Sequence, residues 1–583
     1  MFDLSLERRA RVRRIWTLLV RGASTTLSLS LGFASVVLLA LFGLALATGF
    51  YVPLLSDEVA TKLSNSRVFE EQGNVVSLLP MCSSSWIQSV PSTLYPGAVL
   101  LTLAYGYIGL VGIKVTGIAF SLAAIAGVAW LACRGLKKTA DRLSAVAGLC
   151  AISCLGVMPF VLILSRSEQV MKLCLVGYCV LPVIARSWAH RQRARVILGV
   201  AFLLLSSLFF YAHPKALFFL PFVLTSAVLT APPGRRARWS AILAPCVLVM
   251  AFQCYRISAS VVRCDEAPGA AQWFADAALR PRSLVTEPGT FMRAGWNNVV
   301  NAPPHAWDEV LFSASNTMWV PLPNSRRLPP EVRDLNEQTR PVFIALFWGI
   351  PLLLLFAYRR QGTIARSNTA LGLALVISIG ANVFFYKTFP FYNCALVMPA
   401  LSLVAALALS VDNRRLIPLV PRAVGRIALL AFLVLAGQNL VALMGLFGPT
   451  LRANAKRIGP TVPDQPLALP IFGFDVEKAK IRALARACAI DGDGATHLVI
   501  DDYTVHAFEH LKQPLDLIYI TDGIPWLGRA FAGEKIRPFL TGLNSPGMIG
   551  RCSLFPKVLR PTARVSEEYC CVGKTAFEPP PAR

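Results

Sequence analysis

Residues 27–58 read LSLSLGFASVVLLALFGLALATGFYVPLLSDE. No charge interrupts the run from Leu27 to Thr48, which as a helix reaches roughly 33 Å, enough for a hydrocarbon core of about 30 Å. It is too long for the apolar core of a cleaved signal, although Ala45-Leu46-Ala47 resembles a cleavage site, so it reads as an anchor. A few residues later come Asp57 and Glu58, adjacent carboxylates at the mouth of a bilayer. Acids are costly where water thins out, and such a pair is a candidate functional site.

The remainder of the chain repeats this apolar pattern. Of 583 residues, 55% are hydrophobic and 15% charged, and the mean hydropathy is +0.56; a soluble protein carries roughly 25% charged residues. The net charge of +25 is not spread as a nucleic-acid surface would be. Most of it lies in the N-terminal tail (Arg8, Arg9, Arg11, Arg13, Arg14, Arg21) and in short loops. Those loops are Arg134/Lys137/Lys138/Arg142, Arg186/Arg191/Arg193/Arg195, Arg235/Arg236/Arg238, Arg359/Arg360/Arg366 and Arg414/Arg415/Arg422/Arg426. This is a positive-inside distribution, and it excludes nucleic acid as the reason for the charge.

With the N-terminus inside, about eleven spans are predicted at 27–49, 113–133, 144–164, 169–186, 196–211, 214–230, 240–261, 341–357, 369–385, 392–410 and 426–447. Every basic loop is then inside and the C-terminus outside. The stretch 94–111 is predicted to lie at the outer interface, because a full span there would invert every later basic loop. The fold class expected is mainly α: a polytopic transmembrane helical bundle over 1–447, with outer loops 50–112 and 262–340. A small periplasmic α/β domain follows over 448–583. After a proline-rich linker, that domain is predicted to hold helices at 475–487 and 503–511 and strands at 496–500 and 515–520.

Cysteines divide by location. Those in or beside spans act as small hydrophobes. Cys82, Cys264, Cys394, Cys488, Cys552, Cys570 and Cys571 lie outside, in a compartment that permits disulfides. Adjacent Cys570 and Cys571 can hardly bridge each other, which makes Cys488 or Cys552 better partners. No spacing matches a zinc site.

The order of features from 27 to about 230 resembles the GT-C superfamily of integral-membrane glycosyltransferases, which includes protein O-mannosyltransferases, lipid A aminoarabinose transferases and mycobacterial arabinosyltransferases. The features are Asp57-Glu58 in the first outer loop, Tyr95-Pro96-Gly97 opening an interfacial helix and Lys114 at the outer end of the second span. Ser165-Arg166-Ser167-Glu168 and His213-Pro214-Lys215 follow at outer helix ends. Tyr-Pro-Gly stands where Tyr-Pro-Pro is commoner, and residues 262–583 match no single family.

The resemblance implies transfer of a monosaccharide from a polyprenyl-phosphate donor to a glycan, lipid or protein acceptor at the outer face of the membrane, which the uncleaved anchor assigns to a bacterial inner membrane in preference to the endoplasmic reticulum. Asp57 would be the catalytic base, with Glu58 as its helper; a divalent cation, if one takes part, would sit on this pair. Lys215, His213, Arg166, Lys114 and Lys387 would bind the donor phosphate. Each of these cations also fits simple snorkelling to headgroups, and Glu168 with Lys172 fits a helical ion pair. Asp308-Glu309 is a rival acid pair that reads as a solvated helix face. Trp273, Trp296, Trp307 and Trp319 suit either sugar stacking or an interfacial belt, and Asp501-Asp502 suit a turn after a strand. A polymerase or ligase of lipid-linked glycans, or a transporter or flippase, would share the membrane architecture. The former would depend on arginine or histidine in the large loop, and the latter on ionisable groups near the midplane.

Overall fold

The computed structural model describes residues 3–49, 54–55, 110–134, 136–188, 192–231, 236–261, 278–312, 328–358, 363–386, 391–409, 422–455, 468–469, 474–491, 496–501, 504, 507–508, 511, 513–516, 533–553 and 555–577. Helices dominate: α1 (Asp3–Gly49), α2 (Leu110–Cys133), α3 (Thr139–Ile152), α4 (Met158–Leu162), α5 (Ser167–Trp188), α6 (Gln192–Ala212), α7 (Leu220–Thr230) and α8 (Arg236–Val261). The chain continues with α9 (Pro288–Val310), α10 (Pro330–Tyr358), α11 (Thr363–Phe385), α12 (Phe391–Leu409) and α13 (Arg422–Ala455).

Seven segments among the described residues are long and apolar enough to cross a membrane, in α1, α2, α5, α6, α8, α11 and α13, with shorter apolar helices at Pro214–Thr230 and Cys394–Leu409. The molecule is a mainly α membrane protein. Its bundle has one continuous apolar core. At its centre Tyr178 meets Phe202, Phe209 and Phe222 edge to face at 5.5, 5.5 and 5.9 Å and donates its hydroxyl to Ser206 Oγ at 3.1 Å.

Of the eleven expected spans, 144–164, 214–230, 341–357 and 392–410 are not among these seven segments, and the first two also differ in backbone. The run 144–164 is two helices, α3 and α4, separated by turns around Gly156, whose φ is +52°. A broken helix inside a bilayer needs partners for its freed amides. Here the Gly156 N–H donates to Asn439 Oδ1 at 3.0 Å and the Val157 N–H to the Val310 carbonyl at 2.9 Å. Residues 214–230 begin as a 3-10 helix, Pro214–Phe219, before α7. The interfacial segment predicted at 94–111 lies outside the described residues except for its last two, which open α2.

After α13, strand β2 (Ala468–Leu469) pairs antiparallel with β1 (Leu54–Leu55), in the register Leu54↔Leu469 and Leu55↔Ala468. The C-terminal domain comprises α14 (Phe474–Ala487), β3 (Thr496–Ile500), β4 (Gln513–Asp516), α15 (Ile536–Gly542), β5 (Gly547–Arg551), β6 (Arg564–Ser566) and β7 (Tyr569–Gly573). These strands form a sheet in the order β4-β3-β5-β7-β6, with β3 parallel to β4 and β5, and β7 antiparallel to both its neighbours. Most of the helix predicted at 503–511 lies outside the described residues; the turn before it is held by Asp501, whose carboxylate accepts from Thr504 N–H and Oγ1–H, each at 2.9 Å, and from Arg551 N–H at 2.6 Å. Successive strand residues face opposite sides of a sheet, so the neighbours Cys570 and Cys571 serve different layers. Cys571 is bonded to Cys488 at the end of α14, and Cys570 to Cys552 after β5.

His497 in β3 has a left-handed φ of 60° and a half-buried ring whose Nδ1 has no hydrogen-bond partner among the described residues. Burial pushes its pKa down. As pH falls below the ordinary histidine value of about 6.5, the unfolded chain takes up a proton that the folded domain resists. Stability from this residue is thus present above that pH and declines below it. His497→Asn, which tolerates the left-handed backbone, should flatten the fall in domain melting temperature between neutral and mildly acidic pH. An unchanged slope would exclude His497 as its source.

Candidate functional site

Three stretches of chain converge at one end of the bundle. The first is the C-terminal end of α1, where buried Gly49 packs against Phe160 and Ile163. The second is the opening of α2, where Gly117 lies so close to the Ile163 carbonyl that no Cβ fits between them. The third is the turn between α4 and α5, which leads through Ser165 to Arg166 and Glu168. Gly117→Val should therefore push this turn out of place, reducing thermal stability and any activity of the site together. Gly445→Val, a glycine with open space around it, is the control that should do neither.

Glu168 stands in the first turn of α5 with its carboxylate fully buried. Lys215 Nζ, also fully buried, donates to its Oε1 at 2.8 Å, and Arg166 Nε donates to its Oε2 at 3.3 Å. His213 Nε2 lies 4.0 Å from Oε1. The local sequence explains the second half of this cluster. Pro214 starts the 3-10 helix, and the His213 ring caps it, Nδ1 accepting from the Lys215 backbone N–H at 3.1 Å. That bond leaves the ring proton on Nε2, facing Glu168. The Lys215 ammonium also lies 5.9 Å from the centre of the Tyr386 ring, within cation–π range. Among the described residues, one carboxylate thus gathers a lysine, an arginine and an imidazole. Arg166 and His213 form the partly exposed rim, at 13% and 25%.

Of the five cations singled out in the sequence, the structure brings together Lys215, His213 and Arg166. Lys114 is buried in the second turn of α2, three residues before the close approach at Gly117. Lys387, Asp57 and Glu58 lie outside the described residues. Glu168 and Lys172 do not form the expected helical ion pair. Glu168 faces Lys215, 47 residues on, whereas Lys172 donates to Ser121 Oγ at 2.9 Å, to the Leu162 carbonyl at 3.4 Å and to Gln169 Oε1. Spacing of four favoured the local partner; a buried carboxylate is held instead by the cation that shares its desolvated pocket. Lys172 also lines a small cavity of about 40 Å³ among α1, α2, α3, α5 and α12.

Other candidates separate by burial. Trp307 is 2% exposed and packs on Phe343 at 5.2 Å, which makes it a core residue, whereas Trp296 is 65% exposed. Asp308 is exposed on α9, but Glu309 beside it is half-buried, so only one of the two acids sits on a solvated face. Asp501 is consumed by its turn. Among the described residues no group of three or more His, Cys, Asp or Glu side chains could hold a metal ion.

No family model matches the chain, and no curated protein matches it. Among solved structures it is similar to the archaeal oligosaccharyltransferase AglB from Archaeoglobus fulgidus in complex with an inhibitory peptide and a dolichol-phosphate. That likeness has a TM-score of 0.37 and 13% identity over 88% of this chain and 69% of that one. The apo form of the A. fulgidus oligosaccharyltransferase gives a TM-score of 0.40 and 13% identity over 88% and 69% of the two chains. Likeness this distant carries no functional argument.

Proposed function

We propose that the protein is a GT-C-like membrane glycosyltransferase that moves a monosaccharide from a polyprenyl-phosphate donor to a glycan, lipid or protein acceptor. The observation that carries the reading is the cation-rich cluster around Glu168, at the same end of the bundle as the point where α1 stops and the chain runs on to Asp57. In this reading Asp57 accepts the proton of the acceptor hydroxyl as its oxygen attacks the anomeric carbon, and Glu58 assists. The bond from that carbon to the phosphate oxygen breaks, with inversion, and the lipid phosphate leaves with the electron pair. Lys215, Arg166 and His213, joined by Lys114 and Lys387, stabilise that charge. Glu168 holds the first two cations in place beforehand, so that little reorganisation is needed as the charge develops.

The positive-inside loops lie at the opposite ends of the spans, and two disulfides in the C-terminal domain suit an oxidising compartment. Both support an outer, periplasmic active face in a bacterial inner membrane. The C-terminal domain would then help bind the acceptor.

Asp57→Asn and Asp57→Ala should each lower transfer by about 10²–10⁴-fold, the usual worth of a general base. Surface glycans should fall and the lipid-linked donor should accumulate, as read by mass spectrometry of extracted lipids. Normal glycans in a strain holding stably inserted Asp57→Ala would overturn the assignment.

A further inference from the structure

Helix α9 carries apolar side chains around about half of its circumference at ~100° per residue. One half of that sector, Phe291, Gly295, Ala302 and Ala306, is buried on the bundle. Phe291 packs against Phe384 and Phe385 at 5.6 and 5.8 Å, and Asn298 Nδ2 donates to the Phe384 carbonyl at 2.8 Å. In the adjoining half, Met292, Trp296 and Val300 repeat every four residues and are exposed over the first three turns, whereas Pro303, Trp307 and Val310, further along the same side, are buried. Leu284 and Val285, in the turn before α9, are exposed as well. Arg280 and Arg282 precede the strip in the chain and Arg293 lies on its helix, all exposed, and they outnumber the one exposed acid of the stretch, Glu287.

The depth of the strip follows from its anchor. Phe384 and Phe385 are the last residues of the apolar segment Ser367–Phe385, one of those able to cross a membrane. The strip therefore sits level with the end of a span. Two turns before Phe384, Ile377 on the same segment is 61% exposed, so this span also presents apolar surface outward.

We propose that the Met292–Trp296–Val300 face of α9, with Arg280, Arg282 and Arg293, is an in-plane docking surface for anionic phospholipid headgroups. An exposed tryptophan level with the end of a span, exposed apolar neighbours one helical turn to either side and nearby arginines fit that occupant. It completes the apolar sector of α9 that the bundle leaves half covered, and it does not depend on the catalytic reading.

The test uses the full chain in nanodiscs of phosphatidylcholine, with or without phosphatidylglycerol. Subtracting the emission of Trp296→Phe from that of the wild type isolates Trp296. The difference emission should be blue-shifted and lose more than half its intensity when the lipids carry brominated acyl chains. Enrichment of phosphatidylglycerol around the protein should fall by about fivefold for each of Arg280→Gln, Arg282→Gln and Arg293→Gln, the equivalent of about 1 kcal/mol apiece. A red-shifted difference emission quenched by aqueous iodide but untouched by brominated lipid would overturn the proposal. So would a response to soluble oligosaccharide in place of lipid, which would assign Trp296 to sugar stacking.

Discussion

Lys215→Met should unfold the bundle at markedly lower temperature, because it leaves the Glu168 carboxylate fully buried without its closest counter-charge. Breaking a buried pair from one side costs about 3–5 kcal/mol. His213 is 4.0 Å away and Arg166 is on the rim, so neither replaces an ammonium at 2.8 Å. The double variant Glu168→Leu/Lys215→Met should recover most of that loss, since removing both charges removes the desolvation cost as well. Activity should not follow stability. If Lys215 meets the donor phosphate, transfer should stay low by about 10²–10³-fold in the double variant, the usual effect of removing one charge-stabilising donor. Thermal unfolding in detergent together with a transfer assay on the same samples separates the two roles. A stable double variant with full activity would make the cluster purely architectural.

The second large effect is expected in the C-terminal sheet. The disulfide Cys552–Cys570 closes 18 residues and Cys488–Cys571 closes 83. On the loop-entropy account these contribute roughly 3 and roughly 4.5 kcal/mol, which together rival the whole stability of a small domain. Reduction should unfold the domain from Phe474 to Phe577 while the transmembrane helices persist, because the two disulfides lie wholly within that domain. Limited trypsin digestion should cut at Lys478, Lys480 or Arg482 only after reduction. Alkylation of all four thiols without a change in the digestion pattern would show that the core of Val499, Ile536, Leu540 and Met548 suffices alone.

Much of this fold is legible in the chain because long apolar runs and clustered arginines leave few alternatives. Residues 474–487 and 496–500 are equally plain, one by helical periodicity and one by its β-branched run. The broken span at 144–164 is harder to read, since Ser153, Cys154 and Gly156 are no more polar than their neighbours and hydropathy is blind to backbone geometry. Gly156 followed by Pro159 is the signal that could have marked it. For the candidate site, Ser165–Glu168 and His213–Lys215 are visible as charged ends of apolar runs on one face. The pairing of Glu168 with Lys215 is not, because it depends on how α5 packs beside the 3-10 turn 47 residues later. Local spacing points instead to Lys172, whose ammonium turns into the bundle toward Ser121 and Gln169.

The short ladder between Leu54–Leu55 and Ala468–Leu469 turns a linear chain into a closed circuit. Everything from β1 to β2, nearly all of the bundle included, is a loop whose neck is hydrogen-bonded just before Asp57 and just before the C-terminal domain begins. A pull on that domain would therefore be felt first at the neck, by the backbone two residues from Asp57, before it reached α13.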